Sequence, residues 1–260
     1  MSAKVIISGI NRSGTKLASY LIARACGLRH ICFEPFYWHG GVDASLADDW
    51  SPQLCARSVS KSGSKEHMRL PVYCSGTEIS PWLDVLLNEQ NWDLVKFVEI
   101  GRARLYHTTC PGALQIGLIR EPVGQFCSLN GSTIQKDYVV DQWNRLKREL
   151  KGDNPLPDAD KWLSKDMAAC ARLYAVLYSR LKEDLPPGSL RISYDDLRSS
   201  QDWLAAVSRS LGVDTLASVD VPMMGVSTRQ ELPEDQHAYI VDSLMPVYSS
   251  FVSPDQNADL

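Results

Sequence analysis

The feature that most limits what this chain can become is the stretch from Lys4 to Gly27, KVIISGINRSGTKLASYLIARACG. Val5, Ile6 and Ile7 form an unbroken apolar run, the pattern of a strand covered on both faces. Gly9 and Gly14 mark a turn, and from Thr15 to Cys26 apolar residues recur at helical spacing. A strand that stops at glycines and feeds straight into a helix aims backbone N–H groups and a helix dipole at one point. Such a point attracts an anion, most often phosphate. Gly9 and Gly14, four residues between them, have the spacing of a P-loop. A triphosphate-binding P-loop continues with Lys and then Ser or Thr. Here Thr15 comes before Lys16, and a basic residue, Arg12, stands inside the loop.

The rest of the chain alternates in the same manner. His30–Phe33, Leu94–Glu99, Leu114–Ile119 and Leu190–Tyr194 read as further strands. Helices are expected at about Pro81–Gln90, from Pro122 onward, and over Tyr138–Leu150, Asp160–Asp184, Gln201–Leu211 and Glu231–Phe251. This implies an α/β fold, a P-loop-NTPase-like three-layer sandwich around a central, mostly parallel sheet of about five strands. With no internal repeat and no low-complexity linker, residues 1–260 read as a single domain, with a mobile lid or acceptor region around 36–76. SKSGSK at 60–65 looks like a second phosphate loop, but no strand precedes it, and it reads as part of that lid.

The net charge of −4 and pI near 5.7 argue against a nucleic-acid partner, which calls for a basic field. Seven cysteines form no CxxC pair and no metal-ligand spacing, so they read as reduced thiols and no metal site is expected. No apolar run reaches the ~18 residues of a membrane span, and Lys4 opens the first strand where a signal peptide would lie. A cytoplasmic protein acting on a small anionic ligand is the expectation.

Ser13, Thr15, Arg12 and Lys16 add hydroxyl and cationic donors to the amides of the first loop. A second element, Leu118-Ile119-Arg120-Glu121-Pro122, places an arginine at the carboxyl end of a strand, with Ser128 eight residues on. In an open α/β sheet that end faces the same crevice as the first loop. Arg120 can clamp a phosphate bidentately and Ser128 donate a hydroxyl. Read alone, the pair is better taken as an arginine bound to a nearby carboxylate and a serine facing solvent. Phe33-Glu34-Pro35-Phe36-Tyr37-Trp38-His39, after the second strand, is an aromatic loop of the kind that lines a ligand crevice.

The fragments occur in a telling order: strand–GxxRSGT–helix, a strand with Lys96, LIREP with Ser128, then Ser193-Tyr194-Asp195-Asp196-Leu197. Over about residues 4–197 this resembles the sulfotransferases that use 3′-phosphoadenosine 5′-phosphosulfate (PAPS) and release 3′-phosphoadenosine 5′-phosphate (PAP). The FEP-type loop is similar to that of the carbohydrate-type and bacterial branches. The resemblance implies that Arg12, Ser13, Gly14 and Thr15 hold the 5′-phosphosulfate, Arg12 at the bridging oxygen. It implies that Arg120 and Ser128 bind the 3′-phosphate, that Tyr194 lies near the adenine, and that Arg229 is the one candidate for the C-terminal phosphate contact. Lys16 departs from the pattern, which has a second threonine there, and Glu121 replaces an aspartate.

Sulfuryl transfer needs positive donors at the leaving oxygens and a base at the acceptor hydroxyl. Arg12 and Lys16 meet the first need without a metal ion, in keeping with the missing Lys-Ser/Thr pair. Glu34 is the expected base, its pKa raised by aromatic surroundings, with an ion pair to Arg12 or Arg120 as the plainer reading. His107 is the rival base by family position, though it lacks that branch's lysine–threonine context and also reads as an ordinary helix-end histidine. Phe36, Tyr37, Trp38 and Trp50 would wall an acceptor that is a saccharide, a lipid or a small metabolite. The other readings are a P-loop nucleotide or small-molecule kinase and a non-catalytic nucleotide-binding homologue.

Overall fold

The computed structural model describes residues 3–35, 41–43, 76–130, 167–200, 202–214 and 232–252. Its centre is a six-stranded sheet built from β1 (Val5–Gly9), β2 (His30–Phe33), β3 (Gly41–Asp43), β4 (Leu94–Phe97), β5 (Leu114–Ile119) and β6 (Leu190–Ser193), in the order β3-β2-β4-β1-β5-β6. Five of the strands run parallel, as the α/β reading expects, and β3 adds an antiparallel edge. That edge strand falls inside the stretch read from sequence as lid. Its three residues are too few for periodicity to reveal.

The helices are α1 (Thr15–Cys26), α2 (Gly76–Asp84), α3 (Ala103–Thr109), α4 (Pro122–Asn130), α5 (Met167–Asp184), α6 (Asp196–Ser199), α7 (Asp202–Leu211) and α8 (Glu234–Val252). Two differences from the sequence reading have physical causes. α2 begins five residues before Pro81, so the proline lies inside the helix, and the chain runs on into a π-helical turn over Val85–Glu89. α3 was not anticipated: with seven residues it is too short to establish a 3.6-residue period. The expected helix at 138–150 lies outside the described residues.

β1 shows why the sheet sorts as it does. Val5 and Ile7 point into a core shared with Leu17, Leu21 and Ile22 of α1 and Leu204 and Val207 of α7. Ile6 points the other way, toward Leu83, Leu86, Phe97 and Tyr106. Each fully buried aliphatic side chain contributes about 1.5–3 kcal/mol relative to an exposed one. A third cluster joins α4, α5 and α8, with Phe126, Leu177, Tyr178, Leu244 and Phe251. Gly117 admits this layer, since a Cβ there would stand 2.3 Å from Leu185 Cδ1 and 3.1 Å from Phe251 Cζ. Cys26, Cys32, Cys110 and Cys127 are free and buried, and burial pushes the Cys32 thiol up to about 12. Among the described residues no helix is long and apolar enough to cross a membrane.

At the amino-terminal edge Asp93 ties three strands together. Its carboxylate accepts the Arg29 and His30 amides at 2.9 and 3.0 Å and pairs with Lys4 Nζ at 3.0 Å. Partial burial alone would raise the Asp93 pKa, but the two amides and the Lys4 ammonium outweigh it and hold the carboxyl below its ordinary value. The unfolded chain therefore binds this proton more readily than the folded one, so stability rises with pH across that window. The contribution is complete above the ordinary aspartate range and fades as pH falls through the lower folded value. Asp93→Asn is expected to lower stability at neutral pH and to flatten its acid loss, measured as urea midpoints from about pH 6 down to about pH 2. Parallel profiles for the two proteins would refute this.

Candidate active site

In the described sheet β1 lies between β4 and β5, but the connections on its two sides leave in opposite directions. The chain leaves β1 into α1 on one face and leaves β5 into α4 on the other. This divergence opens a crevice beyond the carboxyl ends of β1 and β5, the place where open α/β sheets bind ligands.

The first wall is the loop from Ile10 to Gly14. Gly14 adopts φ 89° and caps α1 without a side-chain hydrogen bond, and no acidic residue stands in the first turn. The first intrahelical bond runs from Ala18 N to Gly14 O, at 2.9 Å. The amides of Thr15, Lys16 and Leu17 precede it and have no acceptor within the helix. Ser13 is fully buried, and its hydroxyl donates to Ile10 O at 2.6 Å, so its proton shapes the loop. Thr15 is buried as well, and Lys16 is half-buried. Arg12 has φ 69°, a left-handed conformation uncommon for a residue with a side chain and most frequent at functional sites.

The second wall comes from β5 and α4. Glu121 closes the start of α4 by accepting the Val123 and Gly124 amides at 2.8 and 2.7 Å, so those amides are engaged. Gln125 and Ser128, three residues apart, share one helix face turned to the first loop. Gln125 Nε2 donates to Asn11 O at 2.8 Å, and Ser128 Oγ accepts from Arg12 Nε at 2.9 Å. Arg120 Nη1 donates to Arg12 O at 3.3 Å. Behind them the buried Tyr178 hydroxyl meets Gln125 Oε1 and the Arg120 carbonyl. The two loops read separately in the sequence are thus stitched into one surface.

Tyr194 completes this side. Its amide donates to Ile119 O at 2.8 Å, extending the β5–β6 ladder by one bond. Ser193 and Asp196 exchange hydrogen bonds of 2.7 and 3.1 Å that fix the turn. The ring then lies against Gly14, where a Cβ would be 2.4 Å from Tyr194 Cδ2. The Arg120 guanidinium sits 4.4 Å from the ring centroid.

On the β2–β4 side stands a buried ion pair. Glu34 ends β2 with φ 48°, and its amide bonds to Lys96 O at 2.8 Å. Its carboxylate pairs with Lys96 Nζ, the lysine being 1% exposed. Burial pulls the Lys96 pKa down; Glu34 pulls it up, the nearby charge of Lys16 lowers it again, and Glu99 raises it. The sequence reading offered Arg12 or Arg120 as Glu34's partner; Lys96 is a partner it did not name. One signal for it was legible, a lysine in the middle of the apolar run LVKFV. Gln125 and Tyr178 left no comparable trace.

His107 is not brought to the crevice. It lies in the last turn of α3, which leads to Cys110, whose Sγ donates to Ala3 O at the opposite, amino-terminal edge of the sheet. Arg229, Trp50 and the aromatic residues 36–39 lie outside the described residues, and with them most of the expected acceptor wall. Among the described residues no three His, Cys, Asp or Glu side chains stand close enough to hold a metal ion.

No protein-family model matches this chain, and no curated protein does. Among solved structures it is similar to a sulfotransferase from Alicyclobacillus acidocaldarius, at 14% identity and a TM-score of 0.47, over 96% of this chain and 94% of that one. It is also similar to a retinol dehydratase solved in complex with androsterone and the inactive cofactor PAP. That match has 12% identity and a TM-score of 0.36, over 98% of this chain and 83% of that one.

Proposed function

We propose that this protein is a sulfotransferase that moves the sulfuryl group of PAPS to an acceptor hydroxyl on a saccharide, a lipid or a small metabolite. The observation that carries this reading is the meeting of Arg120 and Ser128 with the Arg12 loop in one crevice. A loop alone suits any phosphate. A second cationic end, built on β5 and α4, suits a nucleotide with a second, separate phosphate. The donor set fits: uncapped amides at the start of α1, a glycine where any Cβ would strike Tyr194, and an aromatic ring beside a guanidinium for a base.

The transfer runs in line. The acceptor oxygen bonds to sulfur as the bond from sulfur to the 5′-phosphate oxygen breaks, that electron pair stays on the phosphate, and the acceptor proton passes to a base. Glu34 is that base, at the carboxyl end of β2 with its carboxylate held by Lys96. The cations of the loop and the amides of α1 face the charge that gathers on the leaving phosphate.

Calorimetry with PAP and, separately, with ATP and magnesium tests the reading. Micromolar binding of PAP and none of ATP is expected; the reverse would point to a kinase and sink the proposal. In the same titrations Arg120→Ala is expected to weaken PAP binding roughly 10- to 100-fold, the worth of a charge-assisted bidentate contact, while adenosine 5′-phosphosulfate changes far less.

A further inference from the structure

The left-handed φ of Arg12, 69°, is a rotation between that residue and the peptide before it. Turning over the Asn11–Arg12 peptide would relieve it. The carbonyl of that same peptide is the one Gln125 holds, its Nε2 donating to Asn11 O at 2.8 Å. A trans peptide sends its N–H the opposite way from its carbonyl, and the Arg12 amide donates to Asn11 Oδ1 at 3.1 Å. Both ends of the strained unit are thus engaged, one by its own neighbour and one from α4.

The direction of the Gln125 amide is itself determined. Asn11 O can only accept, so the end of the side chain facing it is the NH2, and Oε1 faces Tyr178. The Tyr178 hydroxyl must then be the donor. Its single proton goes to Gln125 Oε1, the nearer acceptor, with the Arg120 carbonyl at 3.3 Å. Burial pushes the Tyr178 pKa well up, Tyr174, Glu121 and Tyr248 add to this and Arg120 opposes it, so the proton stays on the hydroxyl. Gln125 and Tyr178 are both fully buried, and an amide turned the wrong way would find no solvent to bond.

We propose that Gln125, aimed by Tyr178, is a positioning residue that locks the Asn11–Arg12 peptide and so keeps the first loop in its anion-receiving form. Being buried, neither side chain touches the ligand; they act through the backbone of the loop. Turned over, the peptide would swing its carbonyl oxygen to the side its N–H now faces, and Arg12 would relax to a negative φ. The loop would then enter α1 along another course, and a carbonyl brought near the open amides there repels the anion they attract. The lock rests on the sulfotransferase reading for the identity of that anion.

Calorimetry on the full chain with PAP tests the lock, each affinity taken relative to wild type at the same pH so that the ionisation of PAP cancels. Gln125→Met keeps the length and loses the donor, and is expected to bind PAP about 10-fold more weakly at every pH. Gln125→Glu is expected to match that loss at about pH 8, where a carboxylate faces the Asn11 carbonyl. By about pH 5 it should return to within about 3-fold of wild type, because burial favours the protonated carboxyl. The acid then offers its O–H to Asn11 and its C=O to Tyr178, as the amide does. A deficit in the Gln125→Glu protein that is the same across this range would overturn the lock, as would wild-type affinity in Gln125→Met. Should the acidic variant fold poorly, Tyr178→Phe keeps the ring and removes the aiming proton. It is expected to bind PAP about 5-fold more weakly, and unchanged affinity would count against the lock just as firmly. A wild type that does not prefer PAP to adenosine 5′-monophosphate would overturn the sulfotransferase reading, and the lock's place in it.

Discussion

Lys96→Met is expected to destabilise the protein by about 3–5 kcal/mol, the cost of removing one partner of a buried ion pair. Methionine fills nearly the same space, so the loss is not one of packing. It comes from Glu34, 7% exposed, whose carboxylate keeps its burial and loses the ammonium beside it. Keeping a carboxylate buried without that ammonium costs more than the pair's net attraction returns, which makes the single removal severe and the double removal mild. The variant carrying both Lys96→Met and Glu34→Gln should therefore recover most of the stability, read as the midpoint of urea unfolding. Turnover separates the structural role from the catalytic one: the double variant is expected to fold and to bind PAP, yet to transfer sulfuryl far more slowly than wild type. A stable single variant would show that the pair contributes little. A double variant with wild-type turnover would remove Glu34 as the base.

Gly14→Ala is the change expected to cost most in ligand binding. At φ 89° an alanine lies outside the ordinary regions, which costs about 1–2 kcal/mol before any contact is considered. Its Cβ would then lie 2.4 and 2.9 Å from two atoms of the Tyr194 ring and 3.2 Å from Leu197 Cδ1. The ring is planar and its backbone is bonded to β5, so it must swing as a whole, taking Arg120 from its face. Both walls lose their shape together. PAP affinity is expected to fall by at least about 100-fold, with a far smaller change in thermal midpoint. Gly14→Ala combined with Tyr194→Ala removes the clash and should regain part of the affinity. A single variant binding PAP as wild type does would mean that the loop and Tyr194 are not coupled in this way.

The strand–loop–helix at the start of the chain was legible because its signals are local: an apolar run, two glycines and a helical period within 24 residues. β5 with Arg120 and Ser128 was legible for the same reason. What joins these fragments was not. Gln125 looks like any polar helix residue until the fold sets it beside Asn11, 114 positions away. Tyr178 sits in an apolar stripe and reads as core, which it is, and its hydroxyl escapes notice because periodicity registers rings and not their polar atoms. Lys96 broke the pattern of its strand visibly, but only pairing β2 with β4 supplies its partner. The direction of Arg12 depends on a backbone angle, and no side-chain type encodes a left-handed φ unless it is glycine. His107 drew attention through chain order alone, and α3 carries it to the other edge of the sheet.

The seam of Asn11, Gln125, Tyr178 and Arg120 bears on the cost of ligand capture. Three elements far apart in sequence hold the two loops together with no ligand between them. A binding surface assembled in advance gives up little further conformational entropy on association. Capture at this end should therefore proceed as docking onto a ready mould, its rate set by diffusion and charge instead of by folding of the loops.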